Sequence, residues 1–487
     1  MLLAAVDLGS NSFRLEIARV EGDQIVSEGS WKETVRLAAG LDENGYLSIE
    51  KQTKALGALS RIAEKLRGFP RQQVRAVGTQ TLRAAKNSDE FIKKAEEVLE
   101  CRIEILRGKE EARLVYEGCS YTLPNSEKKR LIVDIGGAST ECVVGVGHEP
   151  IAGESFHIGC VNTSVRFFKE GKITESAFLN AQLAAEAELD GNIKPVLKET
   201  WEEAYGSSGT ASAVSQILHD SNWTDGTITK EALLRLKTEI IAEGEISKLR
   251  FAGLKEDRKE VIAGGVAVLL AVFNKLKIKS MKPVGGALRY GILHDLAGRK
   301  VNQDPRTSSV ENLIKRFSVS KDQADRVSRL AMDFYTQIST SNLEEDRQQL
   351  FWASQLHELG KIVSRSDYHK HSDYLIRNCD IPGFSKYEQE NIAGLVLAHR
   401  GNLKKVSSLI VRRKVMYQVI CLRLAVIIAH SRKSIEQVDL RLEEQERRIV
   451  LTCPAIWLKN HPLIEFMLMQ ETEIWAKVGY DFSISAS

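Results

Sequence analysis

The first residues of the chain recur later in it, and this repeat constrains the fold more than any other feature. LLAAVDLGSNSFRLEIA, from residue 2, returns as RLIVDIGGASTECVVG from residue 130. Each copy has an apolar segment that ends in Asp, a tight turn rich in Gly and Ser, and a second segment of alternating polarity. The repeat therefore predicts two β-hairpins in two duplicated domains. The aligned pairs are Asp7 with Asp134, Gly9 with Gly136, Ser12 with Ser139, and Arg14 with Glu141.

The predicted hairpin tips have the composition of phosphate-binding turns. Glycine lets the backbone approach an oxyanion without an intervening Cβ, and successive N–H groups form a concave anion site. A carboxylate beside the turn can hold the divalent cation that accompanies phosphate. Two such turns facing each other would grip a phosphate chain from both sides. The alternative, two plain glycine-containing hairpins, would require neither the Asp nor the Ser. The candidate phosphate-binding residues are Gly9, Ser10, Asn11, Ser12, Gly136, Gly137, Ala138 and Ser139.

The composition is that of an ordinary globular protein, and it limits the partners. A chain of 487 residues is long enough for several domains. The net charge of +3, with 27% charged residues, gives no overall attraction to nucleic acid or to a membrane. We therefore expect neither as a partner, and we expect any anion binding to be local.

The N-terminus and the cysteines indicate a cytoplasmic protein. Asp7 interrupts the first apolar stretch, so no signal peptide is predicted, and no uncharged apolar run approaches the ~20 residues of a membrane span. The seven cysteines are odd in number, widely spread and without a CxxC pair. They indicate neither a disulfide framework nor a zinc site, and we expect reduced thiols.

Strands alternate with helices through the first three hundred residues, which predicts an α/β fold. After Pro305 the pattern becomes almost entirely amphipathic helix, and the last fifty residues combine a strand pair with a closing helix. We predict a first lobe at 1–125, a second lobe at 126–304, a helical domain at 305–435 and a small α+β domain at 436–487.

Two details of this pattern are specific enough to test. A β segment is predicted around 35–40, before the first long helix. The strand pair of the last domain is predicted at 438–442 and 448–453, with the closing helix near 463–475.

A candidate catalytic carboxylate, Glu111, lies in the segment RGKEEAR that follows a short strand and begins a helix. Acids in a first helical turn suit the helix dipole, so a capping pair is one interpretation. A carboxylate at such a connection can also point into a cleft between lobes and polarise a water for attack on phosphorus. The spacing alone leaves both interpretations open.

Further carboxylates form a candidate Mg²⁺ site. Glu141 lies two residues beyond Ser139, and the period of a strand would place both on one face. Asp134 and Asp7 complete a set of hard oxygen ligands, which Mg²⁺ prefers together with substrate phosphates. The alternative for Glu141 is a surface acid on an exposed strand.

Two further places could contact phosphate. Arg83, in GTQTLR, follows a strand and begins a helix, and its guanidinium could hold two phosphate oxygens or simply lie on a helix surface. Gly209 and Thr210 close the segment GSSGT at 206–210. Small residues before a helix can bind an anion or merely cap the helix.

In the helical domain, His357 and Glu358 form a His-Glu pair in LHELGK, with His369, His371 and His399 downstream. A His-Asp pair with an upstream His and a downstream Asp would indicate a divalent-metal hydrolase. No His lies between His294 and His357, so a ligand is missing. We predict partly buried structural histidines.

Nine Lys or Arg and no Asp or Glu lie between His399 and Ile435. Apolar residues at helical spacing allow an amphipathic pair of helices with a solvated basic face. The absence of acids equally allows a track for a polyanion. The candidate residues of this track are Lys404, Lys405, Arg412, Arg413 and Lys414.

These motifs together resemble the exopolyphosphatase/guanosine pentaphosphate phosphatase (Ppx/GppA) family of the sugar kinase, Hsp70 and actin superfamily. The resemblance extends over essentially the whole chain and is specific because it rests on many segments. They are AAVDLGSNSF, RLAAGL, GTQTLRAA, RGKEEARLVYEG, LIVDIGGASTE, IGCV, GSSGT, GGALRYGIL and LHELGK.

The resemblance implies two ribonuclease H-like lobes around an inter-lobe active site, Mg²⁺ dependence, and release of terminal orthophosphate from a phosphoanhydride chain. By motif position Glu111 would be the catalytic base, Asp134 and Glu141 would be associated with the metal, and the turns 9–12 and 136–139 would be phosphate loops. The helical domain is HD-like without the HD signature. It is expected to be a scaffold for a homodimer and for substrate binding.

Within the family, GGAST at 136–140, RLAAGL, PVGGALR and the short tail after NHPLIEF are more similar to the guanosine pentaphosphate branch. We therefore expect conversion of pppGpp to ppGpp, with trimming of inorganic polyphosphate. The alternatives are a dedicated exopolyphosphatase, an ATP-dependent kinase or ATPase of the same superfamily, and a silent protein that binds the alarmone. The RGKEEA turn and the intact carboxylates argue against the last two.

Overall fold

The computed structural model describes residues 1–21, 24–124, 126–300, 304–339, 344–433 and 438–486. The chain forms two compact units, Met1–Pro305 and Arg306–Ser487. The predicted domain ends at Asn125, Ile435 and Glu436 lie outside the described residues, and the division into four domains stays a prediction.

The first lobe is built on a five-stranded sheet of order β3-β2-β1-β4-β5. Strand β1 pairs antiparallel with β2 and parallel with β4. The elements in chain order are β1 (Leu2–Leu8), β2 (Ser12–Glu21), β3 (Gln24–Thr34), α1 (Ile49–Leu66), β4 (Val74–Gly78), α2 (Gln80–Ala84), α3 (Ser88–Leu99), β5 (Ile103–Ile105) and α4 (Gly108–Ser120).

The second lobe has a six-stranded sheet of order β10-β11-β9-β6-β7-β8. Its elements are β6 (Lys129–Ile135), β7 (Thr140–Val146), β8 (Glu149–Phe156), α5 (Cys160–Phe167), α6 (Glu175–Asn192), α7 (Lys194–Leu197), β9 (Glu203–Ser207), α8 (Ser208–Asp220), β10 (Ile228–Thr229), α9 (Lys230–Glu243), α10 (Lys259–Leu276), β11 (Ser280–Pro283) and α11 (Ala287–Lys300). The predicted hairpins are β1–β2 and β6–β7, and the α/β class is confirmed.

Strand β1 is apolar on both faces because both faces are covered. Ala4 and Val6 belong to a core with α1 and α3, whereas Leu3 and Ala5 face a second core with α4 and α11. Ile132 of β6 joins that second core. Helices α4 and α11 therefore form a layer shared by the two sheets, as the alternation of side chains along each strand requires.

The contact between α4 and α11 depends on glycine. A Cβ on Gly118 would lie 2.0 Å from the carbonyl oxygen of Ala287, and one on Gly291 would lie 1.9 Å from the carbonyl oxygen of Leu114. Both distances are far below any possible contact, so only glycine lets the two backbones touch. This close packing fixes the position of α4, on which Glu111 lies.

The second unit consists of helices followed by a three-stranded sheet of order β12-β13-β14. Its elements are α12 (Pro305–Arg316), α13 (Lys321–Ile338), α14 (Glu344–Leu356), α15 (Tyr368–Asn378), α16 (Lys386–Ala398), α17 (Ser407–Ile410), α18 (Arg413–Ile428), β12 (Arg441–Gln445), β13 (Arg448–Cys453), α19 (Ala455–Asn460), α20 (Pro462–Ala476) and β14 (Asp481–Ala486).

One segment, Arg413–Ser431, is long and apolar enough to cross a membrane by length and composition, and 72% of its most apolar window is buried inside the protein. Helix α18, which makes up most of the segment, lies in the core of the second unit. Its Arg423 is buried and forms two hydrogen bonds of 2.6 Å with the carboxylate of Glu471 on α20. This ion pair fixes α18 against the closing helix.

Three local predictions were wrong. Residues Leu37–Gly40 form a 3₁₀ helix instead of a β segment, because the N–H groups of Val35 and Arg36 donate to the carbonyl of Asn11 and so leave the sheet. The first strand of the terminal pair is displaced from 438–442 to Arg441–Gln445. Strand β14 was missed, and it pairs parallel with β13.

Candidate active site

A cleft of about 510 Å³ lies between the two lobes, and both hairpin tips line it. The lining includes the whole first turn, 9–12, and three residues of the second, Gly136, Gly137 and Ser139. The N-terminus of α8 contributes Ser208 and Gly209. The structure thus brings together two turns that are far apart in the sequence.

The two tips touch each other at a glycine. A Cβ on Gly137 would lie 2.9 Å from the backbone nitrogen of Asn11 and 3.0 Å from the Cβ of Ser10. Ser10 is fixed in turn by Thr81, whose hydroxyl donates to the Ser10 Oγ at 2.7 Å. Asn11 Oδ1 is buried and has no hydrogen-bond partner among the described residues. The first tip therefore contains a polar atom, Asn11 Oδ1, that can bind a ligand.

Two of the predicted phosphate-binding residues support the turns instead of lining the cleft. Ala138 is buried in the core of the second lobe. The hydroxyl of Thr210 donates to the carbonyl of Ile135 at 3.1 Å and so fastens α8 to β6. Neither side chain lines the cleft, because Ala138 packs into the core and Thr210 bonds to β6.

The structure distinguishes Glu111 from its neighbour Glu110. Both oxygens of Glu110 accept hydrogen bonds from Arg113, from Nε at 2.9 Å and from Nη2 at 2.8 Å. Arg113 also bridges to the buried Asp295 of α11 at 2.6 Å. Glu110 is thereby committed to a structural ion pair, and Glu111 is the acid of this pair that lines the cleft.

Arg83 contacts the candidate base instead of lining the cleft. Its Nη1 donates to Glu111 Oε2 at 3.3 Å and to the carbonyl of Leu106 at 2.5 Å. Its Nε and Nη2 both donate to Gln80 Oε1, at 3.0 and 2.5 Å. The predicted bidentate grip on phosphate is therefore not the arrangement observed, because most of the donors of this guanidinium are already used.

Four buried carboxylates surround the cleft, and the pKa of each is raised. Burial is the largest cause for each of them. It raises the pKa of Glu111 to about 7, with Asp7 and Asp134 adding to the rise and Arg83 opposing it. It raises the pKa of Asp134 to about 6, although the hydroxyl of Ser208 lowers it. The pKa of Glu141 is raised as well, by burial and then by Glu111.

Asp7 has the same kind of shift for the same reason. Burial raises its pKa, and the nearby guanidinium groups of Arg289 and Arg14 lower it. Its Oδ1 is buried without a hydrogen-bond partner in the described part of the chain. A buried carboxylate with an unsatisfied oxygen is stabilised by a cation, so this position suits a metal-bound substrate.

The donor set fits Mg²⁺ bound jointly with substrate. Within the described ranges, no three His, Cys, Asp or Glu side chains form a group that could hold an ion on protein ligands alone. Mg²⁺ is usually held by one or two carboxylates together with phosphate oxygens and waters. Asp134 and Glu141, which lie opposite each other in the hairpin register, and Asp7 supply such carboxylates.

Sequence reasoning missed three arginines that line the cleft: Arg14, Arg258 and Arg289. Arg258 occupies the space above Gly209, where a Cβ would lie 1.8 Å from its Nη2. Arg14 and Arg289 lie in quoted motifs, so their basic charge beside the predicted turns was an available signal. Arg258 lies in a polar loop without a motif, and only the fold brings it to the site.

Three of the predicted structural histidines, His357, His369 and His399, are buried, and His371 is half-buried. His357 Nδ1 donates to the carbonyl of Ser354 at 2.6 Å, and burial lowers the pKa of this histidine. Glu358 pairs with Lys361 and Arg432. The acid of the His-Glu pair is therefore already paired with two cations.

Two residues of the predicted polyanion track are paired with acids from other segments. Lys414 pairs with Asp346 at 3.0 Å, and Arg413 pairs with Glu444 at 2.6 Å. Arg412 donates to the hydroxyl of Tyr387 at 2.6 Å. The stretch itself contains no acidic residue, but the fold places acids from other segments beside it. Lys404 and Lys405 are exposed, and Lys405 donates to the carbonyl of Arg400.

Family models match both parts of the chain. Residues 17–300 match the Ppx/GppA phosphatase family, and residues 306–472 match domain III of the Ppx/GppA phosphatases. A guanosine-5'-triphosphate,3'-diphosphate pyrophosphatase of Pseudoalteromonas translucida (strain TAC 125) is 34% identical over 492 aligned residues. That alignment covers 99% of this chain and 98% of the relative.

Solved structures share the fold of the first part of the chain. An exopolyphosphatase from Cytophaga hutchinsonii ATCC 33406 has a TM-score of 0.56 at 22% identity, over 61% of this chain and 98% of that chain. The Ppx/GppA family member of Aquifex aeolicus has a TM-score of 0.51 at 24% identity, over 62% and 98%. The two-lobed fold and the predicted hydrolase class are confirmed, and the chain belongs to the Ppx/GppA phosphatase family.

Proposed function

We propose that this protein removes the terminal phosphate of pppGpp, giving ppGpp and orthophosphate, and that it also trims inorganic polyphosphate from its end with Mg²⁺ as cofactor. The observation that carries the proposal is the meeting of Glu111 with two glycine- and serine-rich turns in one cleft. The relative from P. translucida is named for guanosine-5'-triphosphate,3'-diphosphate. The sequence resemblance to the guanosine pentaphosphate branch supports the same substrate.

In the proposed reaction, a water attacks the terminal phosphorus in line with the phosphoanhydride bond, and the bridging oxygen leaves. Glu111 orients this water and accepts its proton. A pKa of about 7 suits that task, because a base is most effective when its pKa lies near the working pH. The single long contact from Arg83 leaves the second carboxylate oxygen, Oε1, for the water.

Charge on the phosphate chain would be neutralised from both lobes. The N–H groups of the turns 9–12 and 136–139 are preorganised donors for phosphate oxygens. Asp134 and Glu141, with Asp7, would hold Mg²⁺, which supplies charge neutralisation on the transferred phosphate when bound. The three arginines Arg14, Arg258 and Arg289 would meet the remaining phosphates of a highly charged substrate.

The decisive experiment compares orthophosphate release from pppGpp and from long-chain polyphosphate at matched concentrations of substrate ends, with Mg²⁺ and with EDTA. We expect release from both, a higher kcat/KM for pppGpp, and no release in EDTA. Glu111→Gln is the negative control, because it removes the proposed base with little change in size.

Each other outcome identifies a different protein. Release from polyphosphate alone would identify a dedicated exopolyphosphatase. Transfer of phosphate to an acceptor in place of water would identify a kinase. Tight binding of pppGpp without any release would identify a silent alarmone-binding protein.

We further propose that the protein is a cytoplasmic homodimer. Support for a dimer comes from apolar side chains of α19 and α20, since Ile456, Leu463, Phe466 and Met469 are more than half exposed. Apolar patches of this kind are typical of interfaces.

Support for a cytoplasmic location comes from Cys119, Cys142 and Cys160, which form no disulfide. Sedimentation of wild type and of Phe466→Lys tests the dimer, and cell fractionation tests the location.

A further inference from the structure

Gln80 joins the proposed base to the opposite lobe through two polar contacts. It is the first residue of α2 and is buried, with 7% of its surface exposed. Its Oε1 accepts from both Nε and Nη2 of Arg83, at 3.0 and 2.5 Å. Its Nε2 lies 2.5 Å from Nδ1 of His157, which follows β8 of the second lobe. The side chain thus lies between the arginine that contacts Glu111 and a histidine across the lobe boundary.

The chemistry of these partners fixes the direction of every bond. Arginine has only donors, so the amide oxygen of Gln80 must face Arg83 and its nitrogen must face His157. That nitrogen can only donate, so His157 accepts through Nδ1. The backbone of His157 is itself held, because its N–H donates to Glu188 of α6 at 2.9 Å. Donated hydrogen bonds therefore lead from Arg83 to Gln80 and from Gln80 to His157 of the second lobe.

The arrangement controls how Arg83 meets Glu111. Gln80 holds the Nε and Nη2 edge of the guanidinium, and the carbonyl of Leu106 holds Nη1. Only Nη1 then reaches Glu111, at 3.3 Å and to a single oxygen. A guanidinium without these anchors would turn its two-donor edge to the nearest carboxylate and bind both oxygens, as arginine and carboxylate prefer. Both oxygens of the base would then be occupied.

We propose that Gln80 is a positioning residue: it holds Arg83 so that Glu111 keeps one carboxylate oxygen for the attacking water, and His157 of the second lobe orients the Gln80 amide. This inference deepens the proposed function and rests on it. Gln80 does not line the cleft, so its effect passes through Arg83.

The test is a double-mutant cycle on kcat and KM for phosphate release, with Gln80→Met and Arg83→Lys. Met has nearly the size of Gln but offers no oxygen to Arg83. We expect Gln80→Met to lower kcat about tenfold with KM changed by less than about threefold, the scale of a misplaced general base. In the Arg83→Lys background, the same change should alter kcat by less than about twofold, because residues that act through one another are not additive.

Two further variants separate positioning from a general structural effect. Gln80→Glu keeps an acceptor for Arg83 and loses the donor to His157, so its kcat should lie within about threefold of wild type, since one neutral bond is lost. Gln182→Met is the matched control, because the Gln182 amide donates to Glu186 within α6 and Gln182 does not line the cleft. It should leave kcat and KM unchanged. All variants should keep the circular dichroism spectrum of wild type, although Gln80→Met should melt at a lower temperature because buried hydrogen bonds are lost.

The outcomes distinguish this inference from the proposed function. A wild-type protein that releases no phosphate from either substrate would overturn both. An active wild type in which Gln80→Met matches wild type, or lowers kcat equally with and without Arg83→Lys, would overturn the positioning inference alone. A loss in KM instead of kcat would also overturn it, because Gln80 would then act on substrate binding.

Discussion

Arg14 lies directly opposite Asp7 in the first hairpin, and Glu141 takes the equivalent place opposite Asp134 in the second. The two hairpins thus share a backbone and have opposite charges at the position that faces the aspartate. In the first, a cation compensates the carboxylate. In the second, two buried carboxylates lie opposite each other, burial raises the pKa of both, and Asp134 adds to the rise for Glu141. A cation relieves this repulsion, so a symmetric fold produces an asymmetric site.

Replacing the proposed base should abolish turnover and keep binding. Glu111→Gln removes the proton acceptor at nearly constant size, and general-base contributions run to about 10²–10⁴-fold in rate. Phosphate release should fall by that factor, while the Kd for pppGpp by equilibrium dialysis should change little. Glu90→Gln, an exposed acid of α3, is the control. Turnover within a few-fold of wild type would remove Glu111 from the mechanism.

Removing the paired carboxylates of the second hairpin should weaken the response to Mg²⁺. Asp134→Asn and Glu141→Gln each remove one anionic oxygen ligand from the proposed site. The Mg²⁺ concentration for half-maximal phosphate release should rise in both variants, with circular dichroism unchanged. Titration curves that coincide with wild type would place the ion at other groups.

The buried carboxylates should make the metal-free protein less stable as the pH rises. The pKa values of Glu111 and Asp134 in the folded protein, about 7 and about 6, lie above their values near 4 in an unfolded chain. Their contribution to stability is therefore complete below about pH 4 and is lost as the pH rises through about 7. Mg²⁺ should restore part of the melting temperature near pH 8 by binding the ionised carboxylates.

Glu111→Gln isolates this effect. The variant should lose less stability than wild type between about pH 5 and pH 8, because it lacks one of the titrating groups. His357 and His399 have lowered pKa values, so they make the protein more stable as the pH rises. Because both proteins contain them, their contribution cancels in the comparison of Glu111→Gln with wild type. Parallel melting curves for the two proteins across this range would show that Glu111 has an ordinary pKa.

The His-Glu pair of the second unit should have no part in catalysis. In His357→Ala, phosphate release at saturating Mg²⁺ should stay within about twofold of wild type, whereas the melting temperature should fall, because a buried side chain with a hydrogen bond is lost. A loss of the metal-dependent activity at unchanged stability would instead assign a catalytic role to the helical domain.

The exposed lysines of the basic stretch should distinguish the two substrates. Long polyphosphate carries far more charge than pppGpp, so loss of Lys404 and Lys405 as glutamines should weaken polyphosphate binding and reduce its salt dependence, as counterion release predicts. Hydrolysis of pppGpp should not change. Lys93 and Lys94, an adjacent exposed pair on α3, provide the matched control. Equal losses on both substrates would mean that the stretch acts through stability.

The sequence predicted the parts of the site that depend on local pattern. The hairpins, the turns and Glu111 could be found because Asp, Gly and Ser recur at fixed spacing. Arg258 could not be found, because its place over Gly209 depends on packing between distant segments. The partners of Lys414 and Arg413 were missed for the same reason: a run without acids says nothing about acids that folding brings beside it.

Some secondary structure was also decided by distant contacts. Residues 35–40 have an extended pattern, but their N–H groups bond to the first turn instead of a neighbouring strand. Strand β14 has only six residues, and it pairs in parallel with β13, which precedes two helices earlier in the chain. Such short segments carry too little pattern of their own to be predicted.

The glycine contact between α4 and α11 determines where Glu111 lies relative to the two sheets. This helical layer packs against both sheets. Glu111 lies at the beginning of α4, about one turn from Leu114 and about two turns from Gly118, where the backbones touch. A side chain larger than hydrogen at Gly118 or Gly291 would therefore displace Glu111 relative to both hairpin turns, although neither glycine lines the cleft.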